Sequence, residues 1–158
     1  MMNTILIAAA LGAATPAVAH TNDAFIGARV ELNAGHTNFN HTGDLNDVDY
    51  GLAVGYDVRL NDRFTLGAEA TVQNAFNKNS RQLGVGARLG YAITPDLLGF
   101  ARVGYTNLDR YNLDGVNFGG GLNYRIAPNV YISGEYRRTE FQHNVSSDAA
   151  LVGVGLRF

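Results

Sequence analysis

The 158-residue chain has no cysteine, no tryptophan and only three prolines. Without cysteine, disulfides, thiolate metal sites and cysteine nucleophiles are all excluded. Strong charge of either sign is missing too, since 12 Lys and Arg against 14 Asp and Glu leave a net charge of -2. Neither a nucleic-acid surface nor a polybasic membrane arm fits that balance. After residue 20 there is no helical stripe and no apolar run near the roughly 20 residues of a transmembrane helix. Glycine is plentiful instead, at 19 residues, beside eight tyrosines and eight phenylalanines.

Residues 1–20 carry no charged side chain. Their apolar run, 5–14, is about half a bilayer span. Ala17-Val18-Ala19 has the small-x-small pattern of a signal-peptidase site. A signal peptide over 1–19, cut before His20, and a single exported domain over 20–158 are therefore expected.

Within that domain, apolar and polar residues alternate eight times over. Ala24, Ile26, Ala28, Val30, Leu32 and Ala34 oppose Arg29, Glu31 and Asn33; Tyr50, Leu52, Val54, Tyr56 and Val58 oppose Asp49, Asp57 and Arg59. The same pattern recurs around Phe64–Val72, Leu83–Ile93, Leu97–Tyr105, Val116–Ile126, Val130–Tyr136 and Ala150–Phe158, although Leu98 and Phe100 fall on the polar row. A period of two means strands with unlike faces, and eight of about ten residues match the smallest transmembrane barrels. Three tight turns, Asn61-Asp62-Arg63, Thr94-Pro95-Asp96 and Ala127-Pro128-Asn129, recur at a spacing of 33 residues. The other links, 37–47, 74–80, 107–114 and 139–147, are longer and polar. Short turns at one end and longer loops at the other are the asymmetry of an outer-membrane barrel.

Which row faces inward follows from charge. On the lipid face at mid-depth, an Arg or Lys costs about 2–4 kcal/mol, so the charged row lines the lumen. There, near mid-height counted from the short turns, Glu31, Glu69 and Glu135 are expected to share a salt-bridge network with Arg88, Arg102 and Arg137. Aromatics on the apolar row gather in two belts, Tyr56, Phe64, Tyr91, Tyr124 and Phe158 toward the turns and Tyr50, Tyr105, Phe118 and Tyr136 toward the loops. Two lipid interfaces explain two belts. A soluble lipocalin-like barrel, with the apolar row inside, gives no reason for them.

These features resemble the eight-stranded outer-membrane barrels of Gram-negative bacteria, the group with the OmpA membrane domain, OmpX and the opacity proteins. The resemblance covers 23–158 and implies an all-β, eight-stranded antiparallel up-and-down transmembrane β-barrel. The peptidoglycan-binding role of full OmpA is not expected to carry over. Val152, Val154, Leu156 and Phe158 resemble the terminal signal read by the barrel assembly machinery.

Outer-membrane lipid and lipopolysaccharide are the expected partners, with Lys78, Arg81, Arg110 and Arg138 placed to meet lipopolysaccharide phosphates. The barrel is taken as a monomer without cofactor, metal or enzymatic activity, serving a structural or surface-interaction role with a plugged lumen. A narrow channel for ions or small solutes is the alternative, and a lipid A-modifying enzyme a more distant one. His36, His41, Asp44, Asp47 and Asp49 break the calcium-loop pattern at Val48. His143 and Ser146 lack the spacing of the deacylases. Gly119-Gly120-Gly121 has no following helix and so is no phosphate loop; it is expected to let the wall bend or a luminal arginine approach.

Overall fold

The computed structural model describes residues 23–39, 47–75, 78–108, 113–142 and 145–158. The alternating segments form eight antiparallel strands: β1 (Gly27–Phe39), β2 (Asp47–Arg59), β3 (Phe64–Ala75), β4 (Lys78–Ala92), β5 (Leu97–Leu108), β6 (Leu113–Ala127), β7 (Val130–Phe141) and β8 (Ser146–Arg157). Each pairs with its neighbours in sequence, and β1 also pairs with β8, so the sheet closes into a barrel with no free edge. A circuit of paired residues that starts at Arg29 passes through Gly55, Glu69, Gly86, Gly104, Asn117, Thr139 and Ser147 and returns to β1 at Phe39. The strands are therefore strongly tilted, and residues in register are not at equal depth.

The turns are built by their polar residues. The Asn61 side-chain oxygen accepts from the backbone N–H of Arg63 (3.0 Å) and Phe64 (2.9 Å), and Thr94 Oγ1 accepts from Leu97 (3.0 Å). At the other end the strands outlast the expected loop boundaries. Pairing continues to Thr37↔Asp47 and to Glu140↔Ser146, so parts of the segments assigned to loops 37–47 and 139–147 belong to the wall. The ladder needs backbone partners only, and it persists beyond the depth at which lipid demands apolar side chains.

Large apolar residues face outward along every strand, with Val152 68 %, Leu32 61 % and Val85 61 % exposed. In water each would forgo about 1.5–3 kcal/mol of burial, and only lipid covers such a surface. All nine belt aromatics are among them, and Phe64 and Tyr91 touch with ring centroids 5.0 Å apart. The charged row faces the lumen.

The start of β1 departs from expectation. Alternation extended the strand back to Ala24 and placed Ala24 and Ile26 outward. Instead Asp23–Phe25 forms a 3-10 turn, and the strand begins at Gly27, whose φ of 102° suits glycine. A Cβ there would run into the Phe158 carbonyl oxygen. The turn sends Phe25 into the barrel, where it packs with Ala92 and Leu98 in a buried apolar cluster at the turn end. The expected leader 1–19 and its cleavage point before His20 lie outside the described residues.

Candidate functional site in the barrel lumen

The lumen is lined by buried charge. Arg29, Glu31, Asp57, Glu69, Arg88, Arg102, Arg137 and Arg157 are each under 9 % exposed. One connected chain of ion pairs runs through most of them. Arg157 Nη1 reaches Asp57 Oδ2 at 2.8 Å, and Arg29 Nε reaches the same oxygen at 3.1 Å. Arg29 also pairs with Glu69, whose other oxygen lies 2.7 Å from Arg102 Nη2. Arg102 Nη1 then meets Glu135 Oε1 at 3.1 Å, and Arg137 Nε meets it at 2.8 Å.

Of the six residues expected to form the network, Glu69, Arg102, Glu135 and Arg137 come together. Glu31 and Arg88 do not join them. Glu31 accepts instead from Tyr131 Oη and Ser133 Oγ, each at 2.9 Å. Arg88 stacks on Phe100, with 3.6 Å from its guanidinium carbon to the ring centroid. With the Asn123 amide oriented to satisfy its neighbours, Asn123 accepts from Arg88 Nη2 at 2.8 Å. Conversely Arg29, Asp57 and Arg157 belong to the chain of pairs although depth counted from the turns left them out. Their inward parity was the available signal.

Most of these contacts pass over an intervening strand. Arg29 reaches β3 across β2, Arg157 reaches β2 across β1, and Arg102 reaches β3 across β4 and β7 across β6. Tyr131 and Ser133 reach β1 across β8. The strand beneath is bare where a contact crosses it. A Cβ on Gly55 would sit 3.0 Å from Arg29 Nη2, and one on Gly153 would sit 2.8 Å from Glu31 Oε1. On Gly155 it would enter the Tyr131 ring. Within Gly119-Gly120-Gly121, Gly119 pairs with Arg102 and Arg137, and a Cβ on Gly121 would lie 2.9 Å from Phe100 Cζ. Luminal glycine thus makes room for side chains two strands apart to meet.

The two ends of the lumen differ. At the turn end, the Phe25 cluster packs inside the barrel, Arg157 donates to the Phe25 carbonyl, and Arg125 forks onto Asp96. At the loop end, Thr37, Thr71, Thr106, Asn117, Thr139 and Ser147 are buried, all of them uncharged. Gln82 donates to Thr106 Oγ1 at 2.9 Å, and Thr37 donates to Asp49.

On the outside, Arg81 is exposed on β4, four residues beyond the Val85–Tyr105 rung of the upper belt. Arg138 on β7 is engaged by Asp148 (3.4 Å) and Glu140 (3.6 Å), and Tyr136 Oη also donates to Asp148. Arg110 and the Lys78 side chain lie outside the described residues, as do His41, Asp44, the Asp47 side chain and His143. His36 faces outward, whereas Asp49 faces inward to Thr37, so the strand separates them. Val152, Val154, Leu156 and Phe158 form one exposed row at the end of the chain.

A family model for an outer membrane protein β-barrel domain matches residues 5–158. The chain belongs to that family. It is an outer-membrane β-barrel protein, which accounts for the apolar exterior. Solved structures agree in fold. The N-terminal barrel of Pseudomonas aeruginosa OprF is 20 % identical, covering 82 % of this chain and 97 % of that one with a TM-score of 0.57. Neisserial surface protein A is 19 % identical, covering 84 % and 97 % with a TM-score of 0.54. Ail, the attachment invasion locus protein of Yersinia pestis, is 15 % identical, covering 84 % and 97 % with a TM-score of 0.58. The outer-membrane enzyme PagL also shares the fold, at 12 % identity, covering 82 % and 99 % with a TM-score of 0.57. Comparison with curated proteins yields no significant match.

Proposed function

We propose that this barrel serves the outer membrane as a structural and surface-interaction protein, non-catalytic, with a lumen closed to solutes by its own side chains. The observation that carries the reading is the chain of ion pairs from Arg157 to Arg137, which ties non-adjacent strands across the interior above the Phe25 cluster. An eight-stranded barrel is only just wide enough for its inward side chains, and each ion pair here occupies that width. Removing one partner of a buried pair costs about 3–5 kcal/mol, so opening a path through the network is expensive.

Exposed contacts fall to the loop end. Arg81, exposed beyond the upper aromatic belt and without an acidic partner among the described residues, is our leading candidate for a lipopolysaccharide phosphate contact, with Lys78 and Arg110 as further candidates. The outward row Val152, Val154, Leu156 and Phe158 is the segment offered to the assembly machinery, and 1–19 is the leader removed before His20.

The test is conductance. Barrel purified from outer membranes and reconstituted in planar bilayers is expected to give no unitary channel events, while its gel mobility remains heat-modifiable. Steady unitary conductance from the unaltered protein would overturn the closed lumen and establish the narrow channel instead.

A further inference from the structure

Between the two mouths of the barrel, the described residues place five buried guanidiniums, Arg29, Arg88, Arg102, Arg137 and Arg157, against four carboxylates, Glu31, Asp57, Glu69 and Glu135. Every carboxylate has at least one partner, although Asp57 Oδ1 accepts no hydrogen bond. Asp57 is shared by Arg29 and Arg157, Glu69 by Arg29 and Arg102, and Glu135 by Arg102 and Arg137. Glu31 takes two hydroxyls. Arg88 is left over.

Arg88 is 3 % exposed, and its Nε has no hydrogen-bond partner. It also lies directly opposite Arg102 in the β4–β5 ladder, where like charges repel. A guanidinium does not shed its proton in a protein, and a buried ion without a countercharge is among the costlier arrangements a fold can hold. Water would satisfy Nε but leave the charge uncompensated. The wall on one side of Arg88 is also bare. Gly86 precedes it on the same face of β4 and Gly104 faces Gly86 on β5, whereas Gly90 on the other side is covered by Thr65 and Leu98. A Cβ on Gly86 would meet backbone alone, and one on Gly104 would meet backbone and Asn117 Oδ1, itself a buried oxygen without a partner.

We propose that Arg88, held in plane by Phe100 and Asn123, binds one small monovalent inorganic anion of the chloride class in the lumen. The charge follows from the single uncompensated guanidinium. The small size follows from the enclosure, because the Phe25, Ala92 and Leu98 cluster lies toward the turns and the ion pairs of Arg29, Glu69 and Arg102 lie beside it. The anion belongs to the folded barrel and therefore stabilises it by mass action.

The test exchanges gluconate for chloride or bromide at constant ionic strength, with the full barrel in detergent micelles. The temperature at which half the protein converts to the unfolded gel mobility is expected to rise saturably with halide. Arg88→Met should lose that dependence, and Arg63→Met, at an exposed turn arginine outside the lumen, should keep it. Crystals of the unaltered protein soaked in bromide should show an anomalous peak beside Arg88 Nε, a readout that holds even if Arg88→Met does not fold. A halide response that is absent, or the same in Arg88→Met, overturns the proposal. So does a bromide-soaked lumen without that peak.

Discussion

At the turn end of the lumen, Arg29 reaches Glu69 over β2 and Arg157 reaches Asp57 over β1; at the loop end, Gln82 bonds Thr106 and Thr37 bonds Asp49 between strands the ladder already joins. The first kind of contact adds something the backbone cannot supply, a tie between strands that share no hydrogen bonds. The second repeats a connection that exists. Side-chain reach explains the division, since arginine is long enough to cross a strand and threonine is not. A hydrogen bond to a charged group contributes about 1.5–3 kcal/mol against about 0.5–1.5 kcal/mol for a neutral one such as Gln82 to Thr106. The lower lumen is cross-braced and the upper lumen is merely satisfied.

The sharpest way to break that contrast is Glu69→Ala. It removes the carboxylate between Arg29 and Arg102, disconnecting the chain of ion pairs at its middle and leaving two guanidiniums short of a partner. The expected loss is about 3–5 kcal/mol, read as a lower urea midpoint for loss of the folded gel mobility. A loss below about 1 kcal/mol, the upper range for an exposed pair, would mean that the braces carry no more than surface pairs do.

Most of this brace was legible in the sequence as parity and little of it as depth. Period two assigns every side chain to a face, so Arg29, Asp57 and Arg157 are inward from pattern alone. Counting depth from the turns then selected Glu31 and Arg88 for the network and passed over those three. The strand tilt defeats that count, because a row of paired residues climbs from Arg29 to Phe39 in one circuit. Hydroxyl donors were the other blind spot. Tyr131 and Ser133 lie on β7, and only closure of the sheet brings them to Glu31 on β1. Phe25 was hidden by its neighbours, since Ala24 and Ile26 continue the alternation that Gly27 interrupts with its positive φ.

Glycine carries the second test, of intermediate size. If bare wall is what lets strands two apart meet, Gly155→Ala should uncouple Tyr131 from Glu31 without touching any charge. The added methyl would occupy the space of the Tyr131 ring, and the ring must swing away. Overpacking of this kind costs about 1–3 kcal/mol. Gly134→Ala, on the same pair of strands but facing outward with no atom within 4 Å of its added Cβ, is the matched control. Equal loss from both would point to backbone entropy rather than to the crossing.

The smallest expected effect comes from the upper lumen, with Thr106→Val. This substitution keeps the branched shape but removes the hydroxyl that accepts from Gln82 and donates to the Leu83 carbonyl. Both partners lie on β4, beside β5, so no tie between distant strands is lost. The expected cost is about 1 kcal/mol, that of neutral hydrogen bonds, seen as a slight shift in the same urea midpoint. Combined with Glu69→Ala the two losses should add, because Thr106 shares no partner with the ion pairs. A double variant losing much more or less than the sum would show that the two ends of the lumen are coupled, and the division between braced and unbraced halves would fall.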